Sequence, residues 1–437
     1  MVKLFGTDGV RGKAGEYPMV PEFALKFARV AGAELAKKHK RVAIGRDTRI
    51  SGNMLESALV SGFNAVGVDV VLLGVLPTPV MTSSVSGLNV DLGVMITASH
   101  NPYYDNGLKL ITGDGGRFSS EVTNRMESLI LDENYGTPTF DGAKNEENKE
   151  VIGKYIQGVM KIVPSLKGLR VVLDCANGAF YNILSEVFKD LGAGVIVLSD
   201  KPDGYNINKD CGSMHPETMC ETVVNSNAHL GIAVDGDGDR IVVCDEKGKR
   251  VDSDQVVAFL AKSLGVSDAV ATIVSNLGLK LFCESAGIKY YETPVGEAYV
   301  IEKMKEIGAK VGGEESGHMV LLEHSKTGDA LVVALVIASK LLESGKKMSE
   351  IFPLFQPYPK RREDVVFSKK ENMSVAVKSE EVQNVIEECR KIMGDKGKVL
   401  VRPSGTEPKV QVWVWGENQE QVVEMNQKIA AEVKRFA

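Results

Sequence analysis

Short apolar runs alternate with segments of helical period along most of the chain. Arg41-Val-Ala-Ile44 runs into Gly45-Arg46-Asp47, Arg170-Val-Val-Leu173 into Asp174-Cys-Ala-Asn-Gly178, and Ala271-Thr-Ile-Val274 into Ser275-Asn-Leu-Gly278. Each run is too short for a helix and ends in turn-forming residues, so each reads as a strand. A helix-period segment follows, then a second strand: Val68 to Leu73, Gly194 to Leu198, Ile288 to Glu292. A third short strand closes each unit, at Val94-Met-Ile-Thr-Ala-Ser99, Ile232-Ala-Val-Asp235 and Lys310-Val-Gly-Gly313. This pattern predicts βαβ units around sheets buried on both faces. Ligands of such sheets bind beyond the carboxyl ends of the strands, so three units set side by side would turn three special loops toward one cleft.

The chain changes character from about Glu363. Lys398 to Arg402 and Lys409 to Trp415 read as strands around a tight loop, flanked by helix-period segments at Ser379 to Met393 and Gln419 to Arg435. Gln356-Pro-Tyr-Pro-Lys360 reads as the linker, because each proline disfavours helix in the residue before it. The fold class expected is α/β. Three similar domains, each a mixed sheet sandwiched by helices, and a smaller α+β C-terminal domain surround a central cleft. The expected boundaries are 1–150, 151–252, 253–358 and 363–437. A length of 437 residues accommodates three or four domains.

Composition narrows the partners. The chain is 43% hydrophobic and 25% charged, with a formal net charge of −6 and no long run of one sign. That argues against a nucleic acid gripped by its backbone, which needs a basic face. Lys360-Arg361-Arg362, the densest basic cluster, reads as a solvated linker. Met1 to Gly12 lacks the apolar segment of a secretory leader, and no apolar run reaches membrane-spanning length. The six cysteines are scattered without a Cys-x-x-Cys pair, which fits reduced thiols and a cytoplasmic location.

Asp235-Gly-Asp-Gly-Asp-Arg240 carries the most chemistry. Three carboxylates at alternate positions with glycine between them suit one small hard cation, and Mg²⁺ prefers such oxygen ligands with a phosphate oxygen in its shell. The alternatives are a Gly-Asp surface turn and a calcium EF-hand loop. The sixth position of an EF-hand requires Gly and here is Arg240, and the flanks read as strands.

Three other loops stand at strand ends. In Thr97-Ala-Ser-His-Asn-Pro102 a serine precedes a histidine. A hydrolase pair is disfavoured, since adjacent side chains of an extended chain point apart and the nucleophile-elbow pattern is missing. An Asn-Pro turn and a phosphoryl-carrying Ser99 remain open. Gly312-Gly-Glu-Glu-Ser-Gly-His318 is either a polar turn with an exposed histidine or a set of donors and acceptors suited to ring hydroxyls, in which His318 could titrate near neutrality and serve as acid or base. Arg402-Pro-Ser-Gly-Thr-Glu-Pro408 is either a plain hairpin or a nest of N–H groups aimed at an anion, with Arg402 as a phosphate fork. Arg11, in Phe5-Gly-Thr-Asp-Gly-Val-Arg11, and Lys109 are either surface cations or, with Arg240, neutralisers of a transferring phosphoryl group.

These five stretches, in this order and over essentially the whole length, resemble the α-D-phosphohexomutase superfamily. The resemblance implies four domains, the first three alike. It implies that Ser99 is a phosphoserine, and that Asp235, Asp237 and Asp239 hold one Mg²⁺ per subunit together with the Ser99 phosphate. Glu314 and Ser316 would hold sugar hydroxyls, and Arg402, Ser404, Gly405 and Thr406 the phosphate that is not reacting. Arg11, His100, Lys109, Arg240 and His318 would assist phosphoryl and proton transfer. A sugar bisphosphate would serve as intermediate and activator, and the subunit would be a monomer or homodimer.

Asn206-Ile-Asn-Lys-Asp-Cys-Gly-Ser213, Ser275-Asn-Leu-Gly278 and Thr327-Gly-Asp329 resemble the branch that interconverts glucosamine 6-phosphate and glucosamine 1-phosphate. A phosphomannomutase/phosphoglucomutase of the same superfamily is the alternative. Met214, Glu315 and Val295-Gly-Glu-Ala-Tyr-Val300 depart from that branch's usual pattern. Glu315, beside the sugar contacts, is the nearest spare carboxylate for a sugar amine. A non-catalytic phosphosugar sensor would have lost Ser99 or a loop aspartate, and all are present. A phosphatase would require water at the phosphoserine.

Overall fold

The computed structural model describes residues 4–6, 8–136, 140, 142–404 and 408–437. Eighteen strands form four sheets among the described residues. The first contains β1 (Val10–Lys13), β2 (Arg41–Arg46), β3 (Asp69–Val75), β4 (Leu92–Ile96), β5 (Asp105–Thr112) and β6 (Asn145–Glu147), in the order β1-β5-β4-β2-β3-β6. The second contains β7 (Arg170–Asp174), β8 (Gly194–Leu198), β9 (Leu230–Val234), β10 (Ile241–Asp245) and β11 (Arg250–Val251), in the order β11-β10-β9-β7-β8. The third contains β12 (Asp268–Thr272), β13 (Lys289–Thr293), β14 (Val311–Gly313) and β15 (Met319–Leu321), in the order β13-β12-β14-β15. The fourth contains β16 (Lys360–Val366), β17 (Lys398–Pro403) and β18 (Lys409–Trp415), all antiparallel.

One motif recurs in the first three sheets. β3-β2-β4-β5, β8-β7-β9-β10 and β13-β12-β14-β15 each hold three parallel strands and an antiparallel fourth. A parallel pair needs a long crossover, whereas an antiparallel neighbour is reached by a short turn. The third parallel strand therefore turns straight back into the fourth. That turn is residues 97–104, 235–240 or 314–318, the three loops singled out by their chemistry.

One apolar core runs through all three units. It joins Ala43 and Leu73 of the first sheet to Val171 and Leu173 of the second and Ala269 and Met319 of the third. The helix Ala330–Ser344 packs against β10 and β15 and is buried on every side from Ala330 to Ser339, so this stretch is apolar nearly all round and only the last turn meets water. The fourth sheet has a core of its own, with Val365, Phe367, Ile386, Val412 and Ile429.

Two sequence expectations need correcting. The run Ala271–Val274 does not end as strand: β12 is Asp268–Thr272, and Ile273 and Val274 lie beyond it. They are apolar because they pack, with Leu277, against Trp413 and Trp415 of the fourth domain. Nor is Lys360-Arg361-Arg362 a solvated linker. It opens the edge strand β16, where Lys360 pairs with Glu315, Arg361 Nε donates to Asn426 and Arg362 stacks 5.0 Å over Trp413. Alternation along the strand gives each cation a separate partner.

Candidate active site

The serine loop is shaped from beneath by Arg49. This side chain is fully buried and uses all five of its N–H groups. Nε donates to Asp47 at 2.9 Å, Nη1 to the carbonyls of Pro102 and Asp105, and Nη2 to those of Ser99 (2.9 Å) and Asn101 (2.8 Å). Asn208 donates to the same carbonyls of Ser99 and Asn101, at 2.9 and 3.0 Å. With its carbonyls held inward, Ser99 takes a left-handed backbone conformation, φ 53°. For a residue with a Cβ this costs roughly 1–2 kcal/mol, which the donors beneath it offset. The turn aims Ser99 Oγ at Asp235 Oδ2, 2.6 Å away, and brings His100 Nδ1 to 3.3 Å from the same oxygen. Adjacent side chains were expected to point apart; the left-handed residue breaks that alternation.

Asp235, Asp237 and Asp239 are buried, with carboxylate oxygens within 4.8 Å of one another. Arg240 N donates to Asp235 Oδ1 at 3.1 Å. Thr78 Oγ1 donates to Asp237 Oδ2 at 2.6 Å, but Asp237 Oδ1 is buried without a partner. A buried acceptor left unsatisfied is costly, and a cation among the three carboxylates would satisfy it. Burial pushes the Asp235 carboxyl well above the usual range, and Asp239 and Asp237 add to the rise. The donor set is all oxygen, negatively charged and adjacent to the serine hydroxyl. It fits Mg²⁺.

Cations face these carboxylates. Lys109 Nζ lies 2.8 Å from Asp237, 3.0 Å from Asp239 and 2.9 Å from Asp8. Burial alone would lower its pKa, but the three carboxylates outweigh burial and hold it charged. Asp8 also accepts from Arg11 Nη2 at 2.9 Å and pairs with Arg117. Burial opposes its charge; Lys109, Arg117 and Arg11 overcome that and keep its carboxyl far below the usual range. Burial, then the Arg240 and Arg11 guanidinium groups, push His100 down to about 3, so its imidazole is neutral.

His318 joins the second and third loops. Its Nε2 lies 3.1 Å from Asp239 Oδ1, and its Nδ1 lies 3.1 Å from Glu314 Oε2 and 3.2 Å from Ser316 Oγ. Burial lowers its pKa and Asp239 raises it; with Glu314 the balance is a rise to about 10. His318 is therefore an imidazolium here rather than a group titrating near neutrality. Glu314 Oε1 accepts from Gly296 N at 2.8 Å. Glu315 turns the other way and is paired with Lys360, so it is not a spare carboxylate for a sugar amine.

The structure thus brings Ser99, His100, Asp235, Asp237, Asp239, Arg240, Lys109, Arg11, Glu314, Ser316 and His318 into one connected cluster. Arg402 and Ser404 sit on and after β17, with Arg402 Nε donating to Gln411 at 3.0 Å and Ser404 N to the Lys409 carbonyl at 2.8 Å. Gly405 and Thr406 lie outside the described residues. Sequence reasoning passed over Asp8, Asp47, Arg49, Thr78, Arg117, Asn208 and Glu297. Asp47 to Arg49 directly follow β2, where its carboxyl end marks a ligand position, and that placement was the available signal.

Four family matches cover the chain in order. They are Phosphoglucomutase/phosphomannomutase, alpha/beta/alpha domain I at residues 2–136, domain II at 153–248, domain III at 252–358, and the C-terminal domain at 365–432. The chain belongs to this family. Among curated relatives, a protein named phosphoglucosamine mutase from Gluconacetobacter diazotrophicus is 43% identical over 429 residues, covering 95% of this chain and 94% of the relative. One of the same name from Paramagnetospirillum magneticum is 43% identical, covering 100% and 99%.

The family's fold is seen in solved structures too. A phosphoglucomutase/phosphomannomutase family protein from Burkholderia thailandensis superposes with a TM-score of 0.84 at 23% identity, covering 100% of this chain and 98% of that one. Aspergillus fumigatus N-acetylphosphoglucosamine mutase, in complex with GlcNAc-6P and magnesium, superposes at 0.67 and 16% identity, covering 100% and 96%. Among the described residues no helix is long and apolar enough to cross a membrane, and the six cysteines are free thiols.

Proposed function

We infer that the protein is an isomerase of phosphosugars that interconverts glucosamine 6-phosphate and glucosamine 1-phosphate by way of a phosphorylated Ser99. The observation that carries the chemistry is Ser99 Oγ standing 2.6 Å from one carboxylate of a buried three-carboxylate cluster. Full-length likeness to relatives named phosphoglucosamine mutase supports the amino-sugar substrate.

When bound, one Mg²⁺ at Asp235, Asp237 and Asp239 supplies positive charge to the phosphoryl oxygens. In the forward step the bond between Ser99 Oγ and phosphorus breaks. A sugar hydroxyl oxygen forms the new bond to phosphorus and releases its proton. That proton passes by way of neutral His100, whose Nδ1 lies 3.3 Å from Ser99 Oγ, to the serine oxygen that leaves. Arg11, Lys109 and Arg240 spread positive charge around the transferring group, where a buried setting makes it effective. Glu314 and Ser316 receive the sugar hydroxyls, and Arg402, Ser404, Gly405 and Thr406 the phosphate at rest. The bisphosphorylated sugar then turns over, and its other phosphate returns to Ser99. Water must stay out, or the phosphoserine is hydrolysed.

The test compares kcat/KM for glucosamine 6-phosphate, glucose 1-phosphate and mannose 1-phosphate on one preparation, with and without a chelator. Preference for the amino sugar, one phosphate on Ser99 by intact mass and silencing by chelation are expected. Preference for glucose or mannose phosphates would move the protein to the phosphomannomutase/phosphoglucomutase reading. Full activity without divalent metal would overturn the carboxylate site.

A further inference from the structure

Polar contacts around the cleft close on themselves. From Asp8 the path runs to Lys109 (2.9 Å), from Lys109 to Asp239 (3.0 Å), and from Asp239 to His318 (3.1 Å). His318 meets Glu314 (3.1 Å), and Glu314 accepts from Gly296 N (2.8 Å). The next residue, Glu297, pairs with Arg117, and Arg117 pairs with Asp8. The ring passes through the first, second and third domains and returns to the first.

Most of its members belong to the reaction site. Arg117 and Glu297 do not, yet their ion pair is the link that closes the ring. Glu297 is anchored on both sides. Oε2 takes Arg117, while Oε1 accepts from Thr327 Oγ1 at 2.6 Å and from Gly328 N. Gly328 abuts the Asp239 carbonyl so closely that a Cβ there would sit 2.5 Å from it. Glu297 also opens the helix Glu297–Ile307, so its carboxylate and the Gly296 N–H that holds Glu314 are fixed as one piece. On the other side, the Arg117 fork reaches two carboxylates in two domains with separate nitrogens, Nη1 to Asp8 and Nη2 to Glu297, a spread that the single nitrogen of a lysine lacks. The Glu297 side chain is 3% exposed and that of Arg117 27%, so salt screens the pair less than it would a surface pair.

Building on the phosphosugar reading above, we propose that Arg117 and Glu297 are positioning residues, and that their ion pair sets where Glu314 stands relative to Ser99 and the carboxylate cluster. They touch neither sugar nor phosphate. They act through Gly296 on Glu314. Misplacing a reacting group by about 1 Å costs on the order of 10²-fold in rate, so the pair matters to sugar turnover.

The test uses the full chain carrying phosphate on Ser99. Transfer of that phosphate to glucosamine 6-phosphate is compared, in single turnovers, with its slow loss to water, which does not require Glu314. Glu297→Gln, isosteric and uncharged, and Arg117→Lys, which keeps the charge, are each expected to slow transfer to sugar about 10²-fold and to leave loss to water and Mn²⁺ affinity unchanged. The double variant should lose little more than either single, since both break one contact. Equal slowing of both reactions would place the pair at the phosphoryl centre and overturn the proposal, as would unchanged sugar transfer or additive losses. Failure of both single variants to fold would make the pair structural and would also overturn it. A wild type without phosphate on Ser99 would instead sink the functional reading itself.

Discussion

The first three domains and the fourth are joined on different terms. The first three share one apolar core, and charged groups cross between them: Lys109 reaches Asp237 and Asp239, and His318 reaches Asp239. None of these units can shift alone without exposing apolar surface and separating buried charges. The fourth domain has its own core and meets the rest at a small patch. There the Trp413 and Trp415 rings stack 5.6 Å apart against Val274 and Leu277, Lys398 pairs with Glu292 at 2.6 Å, and Asn276 brackets the Tyr358 backbone, with N–O distances of 3.0 Å both ways. The proposed phosphoryl-transfer cluster is built into the shared core, while Arg402, proposed to grip the second phosphate, sits on a domain that folds around itself.

The sharpest way to break this comparison is at the shared centre. Ser99→Ala removes the phosphate carrier, and transfer should fall on the order of 10⁴-fold or more with the thermal midpoint unchanged. Intact mass should show one phosphate on active wild type and none on the variant. A fully active variant would rule out the serine.

Arg49→Lys comes next. It strips donors from the buried Ser99 carbonyl and the half-buried carbonyls of Asn101, Pro102 and Asp105 and loosens the buried Asp47 pair, so unfolding in urea should show a loss of about 1–3 kcal/mol together with lost activity. Normal stability would mean that the serine loop holds its shape without the clamp.

A smaller effect belongs to the fourth domain. Arg402→Lys keeps the charge and loses the fork. KM should rise roughly tenfold, about 1.4 kcal/mol, with free bisphosphate leaking into solution and no change in the urea midpoint. An unchanged KM would place the resting phosphate elsewhere.

A pH-dependent effect lies under the junction between the two regions. Burial, and then the Asp252 charge, push Asp254 up from 3.8 to about 7, and its Oδ2 accepts from Asn276 N at 2.6 Å. The folded protein keeps a proton that the unfolded chain releases between about pH 4 and 7. Asp254 therefore makes stability fall as pH rises through that window and level off above it, by at most about 1.4 kcal/mol per pH unit. Asp254→Asn should show less decline in thermal midpoint between pH 5 and 8 than wild type. Parallel curves would assign the slope to other groups.

What the sequence made legible follows from spacing. Strands β2, β7 and β12, their parallel partners and the loops beyond them announce themselves through short apolar runs that end in Gly, Ser, Asp or Asn. The Asp235–Asp239 alternation carries its chemistry in one line of text. Arg49, Arg117 and Glu297 carry little, because each is a single charge whose meaning lies in residues up to 180 positions away. Val274 misled for the opposite reason: it is apolar for the sake of another domain. His318 reads as a neutral-pH titrator in isolation and becomes a fixed cation only once Asp239 and Glu314 flank it.

The repeated turn from a third parallel strand into an antiparallel fourth has an evolutionary reading. Three copies of one socket hold what we propose to be three unrelated tools: a nucleophile, a metal cradle and a hydroxyl reader. Each tool is confined to residues 97–104, 235–240 or 314–318, and the strands on either side provide the same mounting. A lineage could therefore retool the reader for a different sugar within one hairpin, so long as His318 keeps its contact with Asp239 of the cradle. The modular part of this protein is thus the hairpin, a far smaller unit than the domain.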